Sequence, residues 1–148
     1  MTDNTPAGRL TIGATARFSG IEAGILLGGE AAPLTVMRML VTQGQGAPLH
    51  ISHDEDKLFR IVRGTLLFVI GEDRITATEG DTLFVPRGTV HGFSAQGGPA
   101  EMLLVSTPAR HDRFFQAMDA LPVPHRMEDV AQVCQRFAQS IVGPVVAG

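Results

Sequence analysis

The apolar positions change rhythm once along the chain, near Pro108. Between Thr11 and Thr107 they come in runs of roughly five to eight residues, the length of single strands. Turn residues separate these runs at Gly28-Gly29, Gly44-Gln45-Gly46, Arg63-Gly64, Gly71-Glu72-Asp73, Glu79-Gly80-Asp81, Pro86-Arg87-Gly88 and Gly97-Gly98-Pro99. Short runs at this spacing predict an all-β barrel or sandwich. Leu66-Leu67-Phe68-Val69-Ile70, followed by Gly71-Glu72-Asp73 and then Arg74-Ile75-Thr76, predicts a hairpin with a short turn. Beyond Pro108 the apolar residues recur at helical spacing, first Phe114, Phe115, Met118 and Leu121, then Met127, Val130, Ala131, Cys134, Phe137, Ala138 and Ile141. Two amphipathic helices follow, divided at Pro122-Val123-Pro124, with Gly143-Pro144 stopping the second. Their apolar faces need a partner surface, and the outside of the barrel is the expected one. The expected organisation is a β-barrel over residues 1–108 and a helical extension over 109–148 packed on the same domain. No fixed-period repeat or low-complexity segment interrupts it.

Composition narrows the partners. A chain of 148 residues, 44% of them hydrophobic, suffices for one core and is too short for two ordinary domains. The net charge of −3 leaves no basic excess to neutralise phosphates, so nucleic acid is not an expected partner. Met1 to Leu10 has neither a basic leader nor an apolar core, and no apolar run approaches the ~20 residues of a membrane-spanning helix. A single cysteine, Cys134, excludes an intrachain disulfide and any cysteine-pair metal site. A soluble cytoplasmic protein, without membrane partners, is the expectation.

Two stretches carry the candidate chemistry. The first runs from Gly46 to Gly64 and contains His50, Ser52, His53, Asp54, Glu55, Asp56 and Lys57; the second is Gly80-Asp-Thr-Leu-Phe-Val-Pro86-Arg-Gly88-Thr-Val-His91. They resemble the two motifs of the cupin family, separated by about the length that family uses for a hairpin, and Gly80, Pro86, Gly88 and His91 fall on the second motif, with Ala95 at the position of its final Asn. The helical tail with its Phe114-Phe115 pair is similar to small single-domain cupins often described as quercetin-dioxygenase-like. The resemblance implies a double-stranded β-helix (a jelly-roll or cupin barrel) with two short C-terminal helices and a pocket inside it. It names a fold and no reaction. Small cupins of this kind are commonly dimers with strand exchange near the N-terminus, and the β-compatible segment Arg9 to Phe18 would suit that role in a homodimer.

Gly64, Pro86 and Gly88 have structural explanations, a positive φ at Gly64 and a tight turn at the other two that aims His91 down the next strand. The metal positions are where this chain departs from the family. In metal-binding cupins, two histidines and a glutamate of the first motif and the histidine of the second hold one divalent ion. Carried over, His50 and His91 remain, Ser52 replaces the second histidine and Lys57 replaces the glutamate. A neutral hydroxyl is a poor ligand and an ammonium has no free lone pair, so two ligands remain where three or four are needed. No metal or other cofactor is therefore expected. Strand alternation turns His53 away from His50 and Ser52, and Asp54, Glu55 and Asp56 read as a solvated acidic turn.

An inward lysine requires an anion or neutrality. Lys57 can meet a carboxylate or phosphate of a ligand, act as a neutral amine toward a carbonyl compound, or reach back to Asp54, Glu55 or Asp56. Phe59 and Ile61 should share its face, with Leu58, Arg60 and Val62 opposite, and Phe93 should share the face of His91. The candidate ligand-binding set is thus His50, Ser52, Lys57, Phe59, His91 and Phe93, suited to a small anionic or aromatic molecule. The chain has no Tyr or Trp, which removes stacking on those rings and a tyrosine acid or base. A metal-independent binding module is the leading expectation. The alternatives are a metal-dependent dioxygenase-like or isomerase-like enzyme using His50 and His91, with a divalent metal ion as cofactor, and an interaction protein with a vestigial pocket.

Overall fold

The computed structural model describes residues 7–148; the reading of Met1 to Leu10 therefore falls partly on residues outside that range. In chain order the elements are β1 (Ala14–Phe18), β2 (Ile21–Leu27), β3 (Thr35–Val41), β4 (Pro48–Ser52), β5 (Asp56–Ile70), β6 (Asp73–Ala77), β7 (Thr82–Val85), β8 (His91–Thr107), α1 (His111–Asp119), α2 (Met127–Arg136) and β9 (Gln139–Val145). The strands form one curled antiparallel sheet in which the order runs β1-β2-β3-β8-β4-β9, and β5 pairs with β6, β7 and β8. The long strands β5 and β8 pair with each other along most of their lengths; β3, β4, β6 and β7 attach to them, and β1, β2 and β9 extend the sheet beyond. This is the mainly β barrel with two helices near the C-terminus that the run lengths predict.

Period-two alternation sets which face becomes the core. In β3, Thr35, Met37, Met39 and Val41 are buried while the residues between them are half exposed. In β5, Lys57, Phe59 and Ile61 point inward, and Leu58, Arg60 and Val62 point out, as expected. Phe59, Phe68 and Phe93 meet inside the barrel with ring centroids 5.1 to 5.9 Å apart, in tilted and edge-on contacts. Burying each such ring stabilises the fold by about 1.5–3 kcal/mol. The hairpin has the expected position, with Ile70 opposite Asp73, so its turn contracts to Gly71-Glu72.

Gly64 takes φ +82°, and a Cβ there would lie 2.7 Å from the carbonyl oxygen of Pro99 and 2.9 Å from Cα of Ala100. Both obstacles are backbone of β8, so relief requires the β5–β8 pair to part. Gly64→Ala is expected to lower the unfolding free energy by about 2–3 kcal/mol through this clash and the left-handed φ. Urea unfolding would measure it, and a loss below half a kcal/mol would contradict the close approach.

The tail differs from the sequence expectation in two ways. The second helix stops at Arg136, and of the residues expected to prolong it Ile141 instead lies in β9 (Gln139–Val145), paired with β4. Ala138 has φ +54°, which turns the chain out of the helix, and the following Ile141, Val142 and Val145 are β-branched residues that suit a strand. Nor do the helices simply cover the outside of the barrel. Phe114, Phe115 and Met118 of α1 and Val130 and Cys134 of α2 line the same cavity as His50 and Lys57. The apolar stripe that needed a partner is a wall of the pocket.

Candidate functional site

The cavity has a volume of about 330 Å³ and is walled mainly by apolar side chains, among them Met39, Phe59, Phe93 and Leu104 from the sheet. Its polar groups come from a few fixed positions. β4 presents His50 and Ser52 inward, β5 presents Lys57, and β8 begins at His91 directly opposite His50 in the register. The turn before β8 is held by Thr89 N–H donating to Pro86 O and Gly88 N–H donating to Ser52 O, which ties it to β4.

Lys57 is 2% exposed and lies between the two imidazoles. Its Nζ is 3.2 Å from His50 Nε2 and 3.0 Å from His91 Nε2. The backbone dictates the tautomers. His50 Nδ1 is 2.7 Å from Pro48 O and His91 Nδ1 is 2.9 Å from Thr89 O; a carbonyl only accepts, so each Nδ1 carries the proton. Both Nε2 lone pairs therefore receive N–H bonds from Lys57. Burial, followed by the Lys57 charge, holds both histidines below the ordinary imidazole range, which keeps them neutral acceptors. Burial also brings the Lys57 pKa down to about 7, with the Glu55 charge opposing the shift.

The other sequence candidates are placed as follows. Phe59 and Phe93 line the cavity with His50 and Lys57. Ser52 is turned away from Lys57, its Oγ donating to Gln139 Oε1 at 2.6 Å. His91 stands behind Lys57, which it contacts directly. His53 points outward and bonds Ser140 Oγ through Nε2 at 2.9 Å. The acidic turn needs correction, because Glu55 is 1% exposed. Its Oε1 accepts from Gln139 Nε2 at 2.8 Å, and burial raises its pKa despite that bond. Asp54 and Asp56 are spoken for by arginines, Asp54 by Arg110 at 2.7 Å and Asp56 by Arg87 at 3.1 Å. Of the three partners open to Lys57 in the sequence, the neighbouring carboxylates are thus otherwise engaged, and the ammonium turns to imidazoles.

Three polar residues escaped the sequence reading. His111 opens α1, is 3% exposed and lines the cavity; its Nδ1 has no hydrogen-bond partner among the described residues and lies 3.7 Å from Glu55 Oε1. Burial and then the Lys57 charge lower its pKa well below the usual value. A signal existed, since His111 falls on the helical stripe of Phe114, Phe115 and Met118. Gln139, the bridge between Ser52 and Glu55, gives none, because the helical period of the apolar residues runs through its position. Glu55 was hidden in a run of acids.

A divalent ion does not fit this donor set. Its place between the two Nε2 atoms is taken by Nζ, and among the described residues no three His, Cys, Asp or Glu side chains are grouped to hold a metal. No helix of the described residues is long and apolar enough to cross a membrane.

Comparison with known proteins agrees with the architecture. No curated protein matches the sequence significantly. Among solved structures, KdgF from Halomonas sp. superposes with a TM-score of 0.64 at 19% identity, covering 72% of this chain and 99% of that one. An RmlC-like cupin from Shewanella frigidimarina gives 0.63 at 19% identity, covering 72% and 96%. Pac13 of Streptomyces, a nucleoside dehydratase, gives 0.62 at 19% identity and covers 95% of both chains. At such identities these likenesses speak for the fold alone. The model of the cupin domain family matches residues 37–106, the span from β3 through nearly all of β8 that carries both motifs. Residues 37–106 thus form a cupin domain, and its Lys57 stands where the family's metal-binding glutamate is expected.

Proposed function

We propose that this cupin binds a small aromatic carboxylate inside its barrel without a metal ion. One observation carries the reading: a buried ammonium, held by two neutral imidazoles, forms a charged point in a mainly apolar cavity of about 330 Å³. An ammonium has three N–H donors. Two go to His50 and His91, which leaves one for an acceptor brought by a ligand. A carboxylate satisfies that donor and the charge together, and Phe59, Phe93 and Phe115 offer faces and edges to an aromatic ring. The cavity lies at the small end of the range of ligand pockets, roughly 300–1,000 Å³, which favours a single ring. A barrel of this fold can hold a small molecule: Pac13 is a nucleoside dehydratase, and structures of its variants carry uridine.

Benzoate and its uncharged relative benzamide test the reading by calorimetry and thermal unfolding near pH 6.5. Benzoate at about 100 times its Kd is expected to stabilise the fold by about 2.7 kcal/mol, with benzamide far weaker and EDTA without effect. Equal binding of the two compounds would refute the charge requirement. Binding that EDTA abolishes and manganese or zinc restores would instead establish the metal-dependent alternative through His50 and His91.

A further inference from the structure

Of the twelve Lys and Arg residues in the chain, eleven are arginine, and Lys57 is the single lysine. A guanidinium is the better anion clamp, being planar, forked and always charged, and this chain uses arginine at every other cationic position. What lysine can do and arginine cannot is lose its proton and become a nucleophile.

The surroundings of Nζ match that use. When Lys57 is neutral, its two N–H bonds are both directed to acceptors, His50 Nε2 and His91 Nε2. The remaining tetrahedral position then holds the lone pair, in the place where the ammonium would offer its third N–H. The amine is 2% exposed in a mainly apolar cavity, surroundings that favour an uncharged nitrogen. We propose that Lys57 forms an imine with an aromatic aldehyde or ketone bound in the barrel, rather than only pairing with an anion. The inference rests on the same pocket as the carboxylate reading and adds a covalent step to it.

The step balances without any other reactant. The Nζ lone pair attacks the carbonyl carbon, and the carbonyl π pair moves to oxygen. One Nζ proton passes through an adjacent imidazole Nε2 to that oxygen, giving a carbinolamine. The nitrogen lone pair then expels the hydroxyl, which takes up a proton and leaves as water. Loss of the second Nζ proton leaves a neutral imine, so amine and carbonyl have become imine and water.

Having one lysine makes the test clean, because the N-terminal amine is the single other primary amine. Tag-free protein is incubated with benzaldehyde and sodium cyanoborohydride at pH 7.5, digested and mapped by mass spectrometry. The expected result is one benzyl group on Lys57, formed at least ten times faster than on the N-terminus and slowed by excess benzoate. Lys57→Arg keeps the charge and should show N-terminal labelling alone, with circular dichroism confirming that it folds. Labelling of the wild type confined to the N-terminus would overturn the imine. If benzoate still stabilises that same protein, the imine alone has failed; if benzoate has no effect either, the pocket reading has failed with it.

Discussion

Lys57→Met should lower benzoate affinity about 100-fold or more, the cost on the order of 3 kcal/mol expected when one partner of a buried charge pair is removed. The same variant should remain folded and be no less stable than the wild type at pH 6. Methionine has nearly the length of lysine and carries no charge, so the variant escapes the desolvation of a buried ammonium, several kcal/mol. Against this, His50 and His91 each lose the donor to Nε2, at about 1–3 kcal/mol for each acceptor left unpaired. Below pH 7 these terms roughly cancel or favour methionine.

The balance shifts with pH, and the sign follows from the direction of the lysine shift. The Lys57 pKa falls from 10.5 in the unfolded chain to about 7 in the fold. Between those values the unfolded state holds a proton that the folded state lacks, so unfolding becomes harder as pH rises, by up to about 1.4 kcal/mol per unit. Wild type should therefore gain stability from pH 7 to pH 8.5, short of thiol ionisation at Cys134, and Lys57→Met should lack that gain. Urea unfolding of both proteins at the two pH values measures it. An equal slope in the two would mean that Lys57 is not the buried titrating group.

Acid should unfold the barrel steeply below pH 6.5. His50, His91 and His111 all have pKa values pushed below the ordinary 6.5, first by burial and then by Lys57. The unfolded chain takes up protons at these sites while the fold refuses them, so stability present above pH 6.5 is lost as pH falls. Each histidine contributes up to about 1.4 kcal/mol per pH unit, and three together approach 4 kcal/mol per unit. A domain with ordinary stability of about 5–15 kcal/mol loses much of it by pH 5. Glu55, whose pKa is raised, opposes the loss where the fold takes up its proton. Circular dichroism against pH gives the midpoint, and His111→Phe, which keeps the ring and loses the titration, should move it downward. An unmoved midpoint would take His111 out of the account.

The sheet was legible because burial acts on it with period two and because glycines mark its turns. Lys57, Phe59 and Ile61 shared a face on alternation alone, and Gly64 has the positive φ that its position between two runs required. The resemblance brought His50 and His91 together, and the register places them opposite each other. What escaped was long-range. Nothing local distinguishes Glu55 from Asp54 and Asp56; the amide that shelters it comes from Gln139, 84 positions later. The strand β9 was masked for a related reason. Phe137, Ala138 and Ile141 continue a helical period by coincidence, and the competing signal, a run of β-branched residues, acts only once β4 is there to pair with it.

That return of β9 to β4 bears on the order in which the protein is made. The ribosome delivers His50, Ser52, Glu55 and Lys57 early, and His91 soon after. Gln139, which receives the Ser52 hydroxyl and caps the Glu55 carboxylate, arrives 87 residues after the one and 84 after the other. During synthesis β4 waits with one edge open and with buried acid and hydroxyl lacking their shared partner. The barrel can condense around its phenylalanines before then, but Ser52 and Glu55 gain their shared partner only when β9 has left the exit tunnel.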